Sequence, residues 1–139
     1  MSGWTCVEDI VAYQLGVQLR DRVLELLDSG LIPHDYRYRD QIAAAARSVP
    51  ANLAEGFERY KHGQFGYHAG VAKGSLGELK THLEEAGKRG LITGDCLTPL
   101  ITLLVRARKT TTGLLRHLQT TEAPQAWQSR EAGSPKPPK

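Results

Sequence analysis

The sequence predicts an all-α protein, an antiparallel up-down four-helix bundle with a proline-kinked second helix. Three observations carry that prediction. Apolar residues recur at three- and four-residue steps in four separate windows, the spacing of one helix face. No window alternates apolar and polar residues with period two over the length of a strand. The links between windows are short, and short links set consecutive helices side by side in opposite directions.

The first window runs from about Glu8 to Asp28, and Ser29-Gly30 is a good stop signal. One stripe is Ala12, Leu15, Leu19, Val23 and Leu26; a second is Ile10, Tyr13, Val17, Leu24 and Leu27. Together they exceed the single face that a surface helix needs, which predicts a second neighbour and hence an oligomer. The second window runs from about Arg37 to Tyr60, with Ile42, Ala46, Val49, Leu53, Phe57 and Tyr60 in phase. Pro50 lies inside it. An interior proline removes a donor and clashes with the preceding turn, at a cost of ~3 kcal/mol or more. The apolar phase nevertheless holds across Pro50, which favours one kinked helix. The alternative is a local restart with Ser48 as N-cap and Pro50 in the first turn.

The third window, from about Gln64 to Lys88, places Phe65, Ala69, Ala72, Leu76, Leu79, Leu83 and Ala86 in one stripe. Beside it lie Gly66, Gly70, Gly74 and Gly77. Each interior glycine costs about 0.8–1.0 kcal/mol relative to alanine, so the expectation is a helix packed very close along that side. Ala43–Ala46 offers a similarly small surface. GLITGD at 90–95 is a turn with Thr93 as a candidate cap. The fourth window continues to about Thr120 through Leu97, Leu100, Leu104, Ala107, Thr111, Leu114 and Leu118. Pro99 is tolerated near a helix start, which offers Thr98 as the other candidate cap.

With 139 residues, 40% apolar and 24% charged, the chain has the balance of a single folded domain. That domain is expected over residues 1–122. Residues 123–139 are rich in Pro, Ser and Gly and lack apolar periodicity, so a disordered tail is expected, with Trp127 its large apolar residue. No apolar run reaches the roughly 18 residues of a membrane span. The N-terminus lacks the basic region and apolar core of a signal peptide. Cys6 and Cys96 fit no metal or redox spacing and are expected to be reduced thiols in a cytoplasmic protein. The formal charge is +3, but its placement is uneven. From Cys96 to Thr121 there is no acid, while Arg106, Arg108, Lys109 and Arg116 are present.

Two stretches resemble a known family. Ser48-Val49-Pro50-Ala51-Asn52-Leu53-Ala54-Glu55-Gly56 is followed by Ala72-Lys73-Gly74-Ser75-Leu76-Gly77-Glu78-Leu79. Both halves resemble the signature of the bacterial 23S rRNA intervening-sequence proteins. The accessory variability determinant of diversity-generating retroelements is known for the same fold. The resemblance covers roughly residues 7–120. It implies an up-down four-helix bundle, often a ring-shaped homopentamer, with a second helix that continues through the proline. It also implies a tie to RNA or to reverse transcription. The chain departs from the family in "VAYQL", where a tryptophan is common, and in the glycine content of its third helix.

Asn52, Glu55, Ser75 and Glu78 are the polar members of the two halves. Were they to meet, Glu55 and Glu78 would offer a carboxylate pair for a metal or for acid–base work. A polar network that satisfies the kinked backbone and fixes register is the favoured reading. Pro50 and Gly74 complete the structural motif. No Glu is followed by His at the spacing of a di-iron bundle. Glu78 and His82 are one turn apart, but two ligands do not complete a site. The remaining histidines, His34, His62, His68 and His117, are scattered and read as surface or interhelical residues. With no phosphate loop and no nucleophile motif, neither an enzyme nor a cofactor or metal site is expected.

The fourth helix is more informative. Arg106, Lys109, Gly113 and Arg116 step along one face, roughly opposite Leu104, Ala107, Thr111 and Leu114, with Arg108 beside them. Such a stripe can run along phosphates, and Arg59 and Lys61 could extend it. The expected function is a non-enzymatic nucleic-acid-binding accessory protein for RNA, DNA or RNA–DNA intermediates, with a reverse transcriptase as a further partner and no membrane role. The alternative is a structural, protein-interaction bundle.

Overall fold

The computed structural model describes residues 3–33, 37–59 and 62–120. A short 3-10 turn, Val7–Asp9, precedes four helices: α1 (Val11–Asp28), α2 (Arg39–Arg59), α3 (His62–Lys88) and α4 (Gly94–Thr120). There is no strand among the described residues. Helix α1 packs on α2, α2 on α3, α3 on α4, and α4 closes back onto α1. The four helices therefore surround one core. Leu19 and Val23 of α1, Ile42, Val49 and Leu53 of α2, Leu76, Leu79 and Leu83 of α3, and Leu104 and Ala107 of α4 are fully buried in it. The apolar windows found in the sequence supply that core almost residue for residue.

Helix α1 begins later than the expected Glu8. Ile10 takes an extended conformation (φ −87°, ψ 118°) and separates the 3-10 turn from the helix. Upstream, the Asp9 carboxylate closes a tight turn by accepting from the Thr5 amide at 2.9 Å, the Thr5 hydroxyl at 3.0 Å and the Cys6 amide at 3.3 Å. Residues 3–9 thus form an arm rather than a first helical turn. Trp4 on that arm meets Phe65 of α3 edge-on, with ring centroids 6.1 Å apart.

Helix α2 runs unbroken through Pro50, so the restart at Ser48 does not occur. Two features explain how the proline is accommodated. Asn52 donates through Nδ2 to the Ser48 carbonyl and to the Ser48 hydroxyl, both at 2.9 Å, and so bridges the turn containing Pro50. On the other side α1 presents Gly16. A Cβ there would lie 3.0 Å from Val49 Cγ1 and 3.6 Å from the Pro50 nitrogen. One close helix approach of this bundle is therefore at Gly16, across the proline.

The glycines of α3 do something other than expected. A Cβ at Gly66, Gly70, Gly74 or Gly77 would meet nothing within 4 Å. No backbone makes the expected close approach at these positions: Gly66, Gly70 and Gly77 are half-buried, and Gly74 is exposed. The glycine of the motif that does permit close packing is Gly56. A Cβ there would come within 2.9 Å of His68 Cβ and Phe65 Cδ1, and within 3.3 Å of the Phe65 Cα.

Partners on α3 descend in number as those on α2 ascend: Ser48 with Ser75, Asn52 with His68, Gly56 with Phe65. Helix α3 stops at Gly90, whose φ of +74° is the left-handed conformation that glycine adopts without strain. Leu91 N–H returns to Ala86 O and Gly90 N–H to Gly87 O, both at 3.0 Å, the paired bonds of a Schellman cap. Helix α4 starts at Gly94, behind Thr93, whose carbonyl accepts from Leu97 at 2.9 Å. Thr93 rather than Thr98 is thus the boundary, and Pro99 sits early inside the helix. No described helix is long and apolar enough to cross a membrane. The expected tail, with Trp127, and Tyr60, Lys61 and His34 lie outside the described residues.

Candidate nucleic-acid interface

Helix α4 turns its leucines inward and its cations outward. Leu104, Ala107, Thr111, Leu114 and Leu118 are buried. Thr111 is satisfied there by donating to the Ala107 carbonyl at 2.8 Å. Arg106, Arg108, Lys109 and Arg116 are exposed. Gly113 interrupts the stripe with open space around its Cβ position. No acid lies between Cys96 and the end of α4. Ion pairs among the described residues include Arg20–Asp21, Arg59–Glu55, Lys80–Glu84 and His82–Glu78. Arg106, Arg108 and Lys109 belong to none of them, so their charge faces solvent.

Arg59 behaves differently. Its guanidinium sits 2.7 Å from Glu55 one turn back on α2. That pairing offsets the charge that would have extended the α4 stripe. Lys61, the other candidate extension, lies outside the described residues.

The polar motif residues divide into two kinds. Ser48, Asn52, Ser75 and His68 join across the α2–α3 contact. Ser48 and Ser75 hydroxyls are 2.8 Å apart, and His68 Nδ1 lies 3.1 Å from Asn52 Oδ1. Because Asn52 spends its Nδ2 on Ser48, its Oδ1 accepts, which makes His68 Nδ1 the donor. His68 lies outside both motif halves and reaches Asn52 only through the fold, so the sequence holds no local sign of its role. Glu55 and Glu78 do not join this network. Both are exposed, and each contacts a residue of its own helix: Arg59 at 2.7 Å and His82 at 3.6 Å. They form no carboxylate pair. No group of three or more His, Cys, Asp or Glu side chains able to hold a metal occurs among the described residues. Cys6 and Cys96 are free and exposed. A hydrogen bond with Glu8 is the main cause pushing the Cys6 thiol above its ordinary value.

The described surface carries depressions, two of which flank α1. One, of about 530 Å³, runs between α1 and α2 and is lined by Tyr13, Leu24, Pro50, Ala51 and Ala54, with Arg20, Asp21 and Arg47 also in its walls. Tyr13, Val17 and Leu24, from the second stripe of α1, are only half-buried. The other, of about 210 Å³, lies between the N-terminal arm and α4. Trp4, Asp9, Val11, Thr110, Leu114 and His117 line it. Trp4 and His117 meet edge-on there, with ring centroids 5.9 Å apart. The sequence held no local sign of this cleft, since its two walls are about a hundred residues apart. The Thr5 backbone amide, then the Thr5 hydroxyl and the Cys6 amide, hold the Asp9 carboxyl below its ordinary value.

Residues 8–113 of the chain match the family model described as 23S rRNA-intervening sequence protein. No curated protein matches the chain.

Proposed function

The chain belongs to the family of 23S rRNA-intervening sequence proteins, and from that premise we propose a non-enzymatic nucleic-acid-binding accessory protein that acts as a ring-shaped homo-oligomer, a pentamer by resemblance. The observation that carries the reading is the outer face of α4. Arg106, Arg108, Lys109 and Arg116 are exposed on a helix that has no acid after its first turn. Cations placed this way displace the counterions of a phosphate backbone, and each phosphate so neutralised adds salt-dependent affinity. A family name that concerns an rRNA intervening sequence points to RNA as the polyanion. Repetition around a ring multiplies a stripe that is modest in one protomer. A reverse transcriptase is the protein partner this reading admits, since the retroelement accessory determinant is known for the fold that the resemblance implies.

The test replaces Arg106, Lys109 and Arg116 together by Gln. Binding to structured RNA at low salt should fall strongly. The slope of log affinity against log salt should shrink by roughly 0.7–0.9 for each phosphate that the variant no longer neutralises. Thermal unfolding and oligomer mass should stay unchanged, because these side chains lie away from the core. Wild-type protein that binds no nucleic acid at low salt, or a triple variant that binds as well, refutes the reading.

A second reading rests on the groove between α1 and α2. Its apolar floor and the half-buried stripe of Tyr13, Val17 and Leu24 suit a protein contact, and a second copy of this chain is the occupant proposed. On that reading alone the bundle is structural, and binding of RNA would be absent or insensitive to the α4 cations.

A further inference from the structure

We infer that the cleft between the N-terminal arm and α4 receives one unpaired nucleobase of a strand whose phosphates lie on the α4 cations. The inference rests on the nucleic-acid reading above and narrows it to a single-stranded or looped substrate.

Successive residues on a helix are turned by about 100°. Thr110, Leu114 and His117 line the cleft. Lys109, Gly113 and Arg116 each precede one of them by a single residue, so the cation stripe and the cleft occupy adjacent faces of the same helix. A strand held on the first face has its bases within reach of the second. Gly113, with nothing within 4 Å of its Cβ position, leaves the ridge between the two faces low.

The cleft has the chemistry of a base rather than of a phosphate. Trp4 and His117 give it aromatic walls, Leu114 and Val11 give it apolar ones, and Val11 is 51% exposed at its margin. Asp9 is its one carboxylate, held ionised by the Thr5 and Cys6 donors. A negative wall turns phosphate away and accepts from the amino or imino groups of a base. The volume of about 210 Å³ is below the ~300–1,000 Å³ of pockets that enclose whole small molecules. It suits one ring system entering from a chain that stays outside. A base in a duplex cannot enter, because its faces are stacked and its edge is paired. Recognition of RNA by stacking on aromatic side chains accordingly selects unpaired bases.

Trp4 reports directly on this site. The chain has two tryptophans, so Trp127→Phe leaves Trp4 as the sole emitter. A short oligoadenylate and a blunt RNA duplex of equal length are titrated at low salt, with Trp4 emission and strand anisotropy read together. The expected result is saturable quenching by the single strand and none by the duplex. Trp4→Leu should weaken the single strand by roughly ten- to hundredfold, the factor one stacked base is worth, and leave the duplex unaffected. Trp4→Phe, which keeps a ring, should retain most of the affinity. If Trp4→Leu fails to fold, the emission titration on the Trp127→Phe protein decides by itself. A single strand that binds through Arg106, Lys109 and Arg116 without changing Trp4 emission overturns the cleft and leaves the nucleic-acid reading standing. Protein that binds neither strand overturns both.

Discussion

At the scale of the residue, the glycines divide by what surrounds them. Gly56 lies against the Phe65 backbone and the His68 Cβ, at distances a methyl group could not share without moving one of them. Gly74 lies in open space in the middle of a helix. The same substitution should therefore have opposite signs. Gly56→Ala is expected to destabilise by about 1–3 kcal/mol, the usual cost of overpacking. Gly74→Ala is expected to stabilise by about 0.8–1.0 kcal/mol, the helix-propensity difference. Urea unfolding of the two variants checks both signs at once. Asp9 makes the N-terminal arm sensitive to acid. Its folded carboxyl is held below its ordinary value of 3.8 by the Thr5 and Cys6 donors. A depressed carboxyl stabilises its own turn above the unfolded value and ceases to do so as pH falls through the folded one. The arm carrying Trp4 should stay closed down to below pH 3.8 and release in stronger acid. Emission of the Trp127→Phe protein follows this release. Asp9→Ala, which removes the acceptor of the Thr5 and Cys6 donors, should show the released signal already at neutral pH.

At the scale of the element, α2 shows how a helix keeps its phase through a proline. The apolar stripe runs from Ile42 to Phe57 without a reset, and the helix runs unbroken from Arg39 to Arg59. Asn52 matters here because one side chain ties the Pro50 turn to itself and to α3. It donates twice to Ser48 and accepts from His68. Asn52→Ala should cost about 1–3 kcal/mol, since it leaves half-buried partners unsatisfied, and a shift in urea midpoint measures it. Asn52→Asp keeps the acceptor for His68 but removes both donors, so it should not recover that stability. Helix α4 makes the complementary point. One stripe fixes its buried face, and the cations follow on the opposite one because a helix that buries leucines must expose what alternates with them.

At the scale of the whole molecule, the bundle buries one stripe of α1 along its length and the second only at its ends, Ile10 and Leu27. Ala12, Leu15, Leu19 and Val23 are buried by the bundle, whereas Tyr13, Val17 and Leu24 remain half-buried beside the groove over Pro50, Ala51 and Ala54. Assembly through that face should be lost when Tyr13 and Leu24 are both changed to Lys. Light scattering would then fall to the protomer mass of 15.3 kDa, with helicity retained because both residues are half-buried at the margin of the core rather than inside it. Wild-type protein that already scatters as a protomer at micromolar concentration would rule the assembly out.

The sequence by itself determined the four helical windows, their buried stripes and the basic outer face of α4, and it favoured the continuity of α2 that the structure decides. Each of these is local: apolar spacing sets the face of a helix, and what lies off that face is exposed unless something covers it. Only the tertiary structure decided which flank of each stripe is covered. Gly66, Gly70, Gly74 and Gly77 flank the α3 stripe, and spacing along one helix carries no information on where the next helix lies. That is why the close approach was expected along those four glycines and is found instead at Gly16, Gly56 and Gly87. The same reason separates Glu55 from Glu78, which share a motif yet keep to their own helices, and joins Trp4 to His117 across most of the chain. Contacts of that kind depend on how helices are rotated and docked against one another, and packing around a shared core fixes that rotation.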